Sequence, residues 1–291
     1  MGAVYLAIDW GTTNRRIYAL DEDGRVERTE RDDRGIVAMA ADGYPTEIAA
    51  VRERFGKLPI LTAGMVGSTR GWRETAYLSL PAGLTTLAEG VARLPDDVMI
   101  VPGLALRSGA RADVMRGEEV QVLGAAAAGL VPTSSRICQP GTHNKWVRVQ
   151  DGHIVDFTTA MTGEIFALLS DHSILREALT HPVVGGPAFE EGVLRSQASA
   201  DLLGDLFGVR ASVLLGMRTV ESAAAYASGL LIGADVAARS PVSEEPIHIL
   251  ADPALGSLYR SAIELLGGQA RLIDSHAAFV AGIHRIWRAL S

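Results

Sequence analysis

The chain is short of several things, and each shortage excludes something. It has one cysteine, Cys138, so no intramolecular disulfide can form and an oxidising compartment is not implied. Lysine is nearly missing: Lys57 and Lys145 stand alone among 27 basic residues, the rest arginine. Basic residues are outnumbered by 34 acidic ones, leaving a formal charge of -7. That balance argues against a nucleic-acid binder, which would show a basic face. Aromatic residues make up only 5%, which predicts an aliphatic interior.

No apolar run approaches the ~18 residues of a membrane-spanning helix. Met1–Asp9 lacks the basic start and small-residue cleavage site of a signal peptide. Gly2 follows Met1, but Leu6 stands where a myristoylation signal wants Ser or Thr. A cytoplasmic protein is the expectation. The seven histidines show no zinc-like spacing. No Gly-x-Ser-x-Gly elbow anchors a hydrolase triad. Gly56-Lys57 runs into Leu58, so the chain has no Gly-x₄-Gly-Lys-Ser/Thr phosphate loop.

What is present is globular in composition, with 48% hydrophobic and 21% charged residues over 291 positions, enough for two domains. Val4–Ile8, Arg15–Leu20 and Arg25–Glu30 read as strands around the turns Gly11-Thr12-Thr13 and Asp21–Gly24, an antiparallel meander. The same order returns at Ser135–Cys138, His143–Val149 and His153–Phe157, around Pro140-Gly141-Thr142 and Gln150-Asp151-Gly152. In register, Gly11, Thr12 and Asn14 fall on Gly141, Thr142 and Asn144, and Arg15 falls on Lys145. Three identities inside a matching order of strands and turns indicate an internal duplication.

Helical patterns fill 46–55, 116–130, 162–169 (with Thr162 as N-cap), 186–206, 220–239, 257–266 and 276–290. Ile247–Leu250 and Ala270–Ile273 read as buried strands. Interleaved strands and helices define an α/β protein. Pro132–Ser135 is the best linker, predicting domains at 1–131 and 132–291, with the closing helix 276–291 packed back on the first.

The two Gly-Thr turns carry the chemistry. A turn of this kind presents backbone N–H groups and hydroxyls in one direction, a cradle for phosphate oxygens; the bland alternative is a hairpin turn with a capping Asp. Two such turns, one per domain, would hold a polyphosphate from both sides. Asp9 suits Mg²⁺ held largely through water, whereas its counterpart in the second copy is Gln139. Lys145 offers a compact ammonium in an arginine-dominated chain, or is an ordinary strand residue. Cys138 reads as a packing residue.

The paired turns resemble the two phosphate motifs of the sugar kinase/heat-shock chaperone/actin superfamily. Its fold, the actin-like ATPase fold, is two duplicated ribonuclease-H-like domains around an ATP cleft. More narrowly, Ala7–Asn14, Ala63–Ser68, Val114–Glu119 and Pro140–Trp146 resemble the 2-dehydro-3-deoxygalactonokinase family, and Met161–Glu164 and Ser228–Ala234 match in place and order. The resemblance implies ATP- and Mg²⁺-dependent phosphorylation of a 2-keto-3-deoxy sugar acid at its 6-hydroxyl. It places ATP phosphates at Gly11, Thr12, Thr13, Asn14, Gly141, Thr142, His143, Asn144 and Lys145, and Mg²⁺ at Asp9. It places adenosine around Gly229, Gly233, Ala251 and Gly256, although the Gly-rich turn usual after the strand near 250 here reads Ala-Asp-Pro-Ala-Leu-Gly.

The sugar acid is expected at Gly64, Met65, Val66, Gly67, Arg73 and Arg116, with Arg70 and Arg16 nearby; surface ion pairing is the alternative role for each arginine. Trp72 and Trp146 are candidates for the sugar face or for core packing. The base is expected within Asp113–Gly124: Glu118 first, Asp113 next, with Glu119 and Glu164 also in view. The alternative is that these acids only complement a helix N-terminus. The rival functions are a same-fold kinase for the gluconate-type epimer and a nucleotide-binding ATPase without a sugar substrate. Homodimers are the commonest oligomers, so a homodimer is expected; neither nucleic acid nor membrane is expected as a partner.

Overall fold

The computed structural model describes residues 2–239 and 245–290. Met1, 240–244 and Ser291, which the N-terminal reading and the expected domains include, lie outside the described residues. The chain starts with β1 (Tyr5–Trp10), β2 (Arg15–Leu20), β3 (Val26–Asp32), α1 (Tyr44–Phe55) and β4 (Ile60–Gly64). A 3₁₀ turn at Met65–Gly67 leads to β5 (Tyr77–Ser79), α2 (Leu84–Glu89), β6 (Ala92–Leu94), β7 (Val98–Ile100), β8 (Gly103–Ser108), β9 (Arg111–Met115) and α3 (Glu118–Ala127). The second meander is β10 (Ser135–Gln139), β11 (Asn144–Gln150) and β12 (His153–Ala160). Then come α4 (Thr162–His172), α5 (Pro187–Ser199), α6 (Leu202–Leu214) and α7 (Val220–Ala237). β13 (Ile247–Leu250), α8 (Pro253–Leu265), β14 (Ala270–Ile273) and α9 (Ser275–Leu290) complete the described chain.

The two large sheets run β3-β2-β1-β4-β7-β6 and β12-β11-β10-β13-β14. Each places a three-strand meander beside parallel strands reached by helical crossovers, so the α/β duplicated ribonuclease-H-like plan is present in the strand orders themselves. β1 pairs with β2 antiparallel (Asp9↔Arg16) and with β4 parallel (Trp10↔Gly64). A small third sheet, β5-β8-β9, falls in a stretch where the sequence announced no strands.

The chain forms two compact units: 1–134 with 147–157 and 275–291, and 135–146 with 158–274. In the first, β1, β2 and β4 bury Leu6, Ile8, Trp10, Ile17 and Ile60 against Ile48 and Val51 of α1. Buried Arg15 is held there by Asp32 (2.6 Å) and Glu47 (2.7 Å) and lies over the Trp10 ring. In the second, Phe189, Val193, Ile232, Ile249, Tyr259 and Ile263 form the core.

Three expected helices begin or end elsewhere, each for a local reason. The 186–206 helix is two helices, because Ala200 is left-handed (φ 51°) and the Asp201 side chain accepts from Gly204 N–H to cap α6. α3 starts at Glu118 because Gly117 has φ 106°. α8 starts at Pro253, whose fixed φ and missing N–H suit a first helical position, so most of the expected 251–257 turn is helix. Thr162 is the first residue of α4 and Met161 its N-cap.

α3 and α9 cross in the first unit at Gly124 and Gly282. A Cβ on Gly282 would lie 2.1 Å from the Val120 carbonyl oxygen, and one on Gly124 2.0 Å from that of Ala278. Gly282→Val therefore forces the helices apart and should cost about 2 kcal/mol or more. A fall of several degrees in the thermal midpoint by circular dichroism is expected; an unchanged midpoint would mean the crossing is slack.

Candidate functional site

In the first unit, the turn between β1 and β2 is held from behind. The carbonyls of Gly11, Thr12 and Thr13 accept N–H groups of Ile36, Val37 and Gly35, at 3.1, 3.1 and 3.2 Å. Gly11 N–H closes the turn on Asn14 O at 2.9 Å. Among the described residues, the N–H groups of Thr12 and Thr13 take no backbone partner, and both residues are exposed. A turn with its carbonyls tied back and its N–H groups outward attracts an anion. It opens on a cavity of about 220 Å³ lined by Asp9, Gly11–Arg16 and Arg31.

Three backbones converge behind Asp9. Gly64 (φ 101°) lies so close to β1 that a Cβ would sit 2.6 Å from the Trp10 carbonyl oxygen, and a Cβ on Gly117 would sit 2.9 Å from Gly64 Cα. This brings the start of α3 to the end of β1. Burial pushes the Asp9 carboxyl up to about 6, Arg16 opposing and Glu118 adding to it. Glu118 is half-buried, and one of its oxygens accepts Arg116 N–H at 2.9 Å. Glu119 is fully buried with both oxygens on Gly117 N–H at 2.8 Å, and burial pushes it up to about 8, so it is protonated at neutral pH. Asp113 lies on β9, where its side chain accepts Val114 N–H at 2.8 Å.

The expected sugar-acid residues divide by burial. Val66 is wholly in the core and Gly67 is enclosed by Thr75, Arg116 and Ile100, so neither presents a surface to a ligand. The Arg116 guanidinium is spent internally, on Thr75 Oγ1, on Thr75 O at 2.9 Å and over the Tyr77 ring at 4.2 Å. Met65 is half-buried, whereas Arg70 and Arg73 are exposed. Trp72 stacks on Tyr44 with ring centroids 5.6 Å apart.

In the second unit, Gly141, Thr142 and His143 form the turn before β11. A Cβ on Gly141 would meet nothing within 4 Å, so open space faces it. The N-terminus of α4 packs on this turn: Gly163 lies against Gly141 O, and Glu164 N–H donates to Thr142 O at 3.0 Å. The helix therefore adds its N-terminal dipole to the turn. His143, exposed, and Glu164, half-buried, pair at 2.8 Å. The remaining expected phosphate residues point elsewhere. Asn144 is buried on Asp235 at 2.7 Å, and the Lys145 ammonium reaches Thr159 Oγ1 at 2.7 Å.

An apolar slot of about 320 Å³ runs from Gly141, Thr142, Thr162 and Gly163 to Leu231, Ile232, Leu255 and Tyr259. Gly229 and Gly233 do not line it. They are on the other face of α7, where Cβ atoms would strike Phe189 O (2.1 Å) and Ser196 Oγ (2.4 Å) of α5. Ser228, Leu231 and Ile232, on the adjoining helical stripe, line it instead. Ala251 and Gly256 likewise yield to Leu255, Leu258 and Tyr259, because α8 starts two residues after Ala251.

The 2-keto-3-deoxy-galactonokinase family matches residues 9–286. The chain belongs to this family. It is 37% identical to the 2-dehydro-3-deoxygalactonokinase of Escherichia coli K12 over the full length of both. It superposes with a TM-score of 0.92 on the crystal structure of a Sinorhizobium meliloti protein described as a 2-dehydro-3-deoxygalactonokinase, at 38% identity, covering 98% of this chain and 96% of that one. The (R)-2-hydroxyglutaryl-CoA dehydratase component A of Acidaminococcus fermentans shares the fold at 12% identity and a TM-score of 0.50, each chain covered to 99%.

One residue went unnoticed in the sequence. Asp235 of α7, 8% exposed, collects Asn144 Nδ2 (2.7 Å), Trp146 Nε1 (2.9 Å), Thr162 Oγ1 (2.9 Å) and the Tyr259 hydroxyl (3.2 Å), with Arg239 at 3.6 Å. Its carboxylate ties the β11 end of the turn, the α4 start and the slot wall to one helix. Trp146 is thereby a core residue and not a sugar-packing one. The signal was an acid in the apolar, Ala-rich stretch of a helix beyond its first turn, where an unpaired charge is not tolerated. Asp235→Ala strands several buried donors and should cost about 3 kcal/mol. It should also weaken nucleotide binding by calorimetry at least tenfold; unchanged affinity would separate the hub from the slot.

Proposed function

We propose that this chain transfers the γ-phosphoryl of ATP to the 6-hydroxyl of 2-dehydro-3-deoxy-D-galactonate, giving 2-dehydro-3-deoxy-6-phosphogalactonate. The observation that carries the reading is the family match over residues 9–286, which spans both turns, the coupled acids and the apolar slot. No helix among the described residues is long and apolar enough to cross a membrane, in keeping with a cytoplasmic enzyme acting on dissolved metabolites.

The residues present suit ATP. The slot offers apolar walls for a base, and its Gly141–Thr142 end offers a turn and a helix N-terminus for phosphate. The outward N–H groups of Thr12 and Thr13 suit phosphate oxygens in the same way. Asp9 suits Mg²⁺, which binds through one or two carboxylates, waters and substrate phosphates, and no ready-made cluster of three His, Cys, Asp or Glu occurs among the described residues. When bound, the ion neutralises charge developing on the phosphates.

Glu118 takes the proton of the attacking hydroxyl. It is the half-buried acid at the start of α3, electrostatically coupled to Asp9, while Glu119 is sealed in and protonated. Asp113 is the second choice, set apart on β9. Arg70 and Arg73 are the exposed cations of the loop after β4 available for the substrate carboxylate.

A coupled ADP-release assay with Mg-ATP and both C4 epimers of the acid tests this. Release is expected with the galactonate-derived acid; equal release without any acceptor would favour the ATPase reading. Glu118→Gln should lower kcat about 10²- to 10⁴-fold while ATP still binds. Asp9 must be ionised to hold the cation and its folded pKa is raised to about 6. The kcat/KM profile should therefore fall as pH drops through about 6. A limb near pH 4 would mean Asp9 is not the group required.

A further inference from the structure

We infer that two copies of this chain associate through α6, packed against its own counterpart about a two-fold axis. Leu203, Phe207, Ala211 and Leu214 recur at helical spacing on one face of α6, and the turn that follows adds Leu215 and Met217. Leu203 is 82% exposed, Phe207 61%, Leu214 71%, Leu215 73% and Met217 78%. Together they offer on the order of 600 Å² of apolar surface, the top of the range for a monomer's largest patch. That is most of the ~800 Å² each partner buries in a standard interface.

Charge is missing from this face, which is the mark of an interface core. The two charged residues of 202–217 are engaged within the chain. Asp205 is buried on Arg195 (2.7 Å) and Ser199, and Arg210 donates to Ile174 O at 2.8 Å. Arg210 also holds Ile174, itself 58% exposed, beside the stripe. Gly208 is an interior helical glycine with no atom within 4 Å of the Cβ position, so no packing within the chain calls for it. Flanked by Phe207 and Ala211, it lets a second helix come close. A stripe centred on the middle of one helix and complementary to itself by knobs and small residues fits an isologous contact between copies.

Analytical ultracentrifugation of the full chain tests this. The 30.8 kDa chain should sediment at twice that mass at micromolar concentration, and Phe207→Glu should sediment as a single chain with unchanged circular dichroism. Gly208→Cys should form a disulfide-linked dimer on oxidation, because a residue near the axis faces its own copy; buried Cys138 does not compete. If Phe207→Glu fails to fold, the Gly208→Cys cross-link decides. A wild-type monomer throughout, which leaves the face to some other partner, overturns the proposal. So does a dimer that survives Phe207→Glu or leaves Gly208→Cys uncrossed.

Discussion

A backbone contact that only glycine allows sets up the first site. Gly64 at the end of β4 lies against Trp10 at the end of β1, and Gly117 before α3 lies against Gly64, each too close for a Cβ, so a side chain on Gly64 would strike β1 and one on Gly117 would push α3 away. Both glycines also hold a positive φ, near 101° and 106°, which L side chains rarely adopt. The result is a helix N-terminus bearing two acids delivered to a strand end bearing a third. Like charges so placed do not all ionise freely. Burial raises the Asp9 and Glu119 carboxyls, the Glu118 charge adding to it, so these two groups bind protons more tightly in the folded than in the unfolded chain and their own contribution to stability falls as pH rises from about 4 to 8.

The second unit solves the matching problem by a different device. Its meander has Gln139 where the first has Asp9, and the acid appears instead on α7 as Asp235, beneath the turn. There the carboxylate receives hydrogen bonds and fixes the geometry around the slot. The duplicated turns have thus diverged in chemistry while keeping their strand order. The residue following each turn shows the same economy: Arg15 and Lys145 are both buried and both reach across to the third strand of their meander, on Asp32 and Thr159. The scarcity of lysine made Lys145 conspicuous in the sequence, and the structure gives it a packing partner.

The fold was legible because the duplication repeats an order, strand-turn-strand-turn-strand, that local pattern reveals reliably. β2, β13 and β14 agree with the sequence to the residue. What the pattern could not show were events decided by a single backbone angle or by tertiary contact. Ala200 looks like any helical alanine, and its left-handed φ splits one expected helix into two. Gly229 and Gly233 are adenosine candidates only through the family resemblance, and glycine there allows close approach. They do allow it, but to α5. The turn residues were visible as residues, whereas the tie-backs that face their N–H groups outward come from Gly35, Ile36 and Val37, some 20 residues away. Arg116 and Val66 are expected near the sugar acid as a cation and a loop backbone, and no sequence pattern announced that their side chains pack on Thr75 and Tyr77 and in the core.

The central claim is that Asp9 and Glu118 form a coupled pair at the end of β1. Carbon-13 labelling of aspartate carboxyl groups, followed by NMR titration of the wild type and Glu118→Gln, measures it directly. The account predicts one aspartate, absent from Asp9→Asn spectra, titrating near 6 and moving down when Glu118 is neutralised. An Asp9 midpoint near the ordinary 3.8, unmoved by Glu118→Gln, would contradict it.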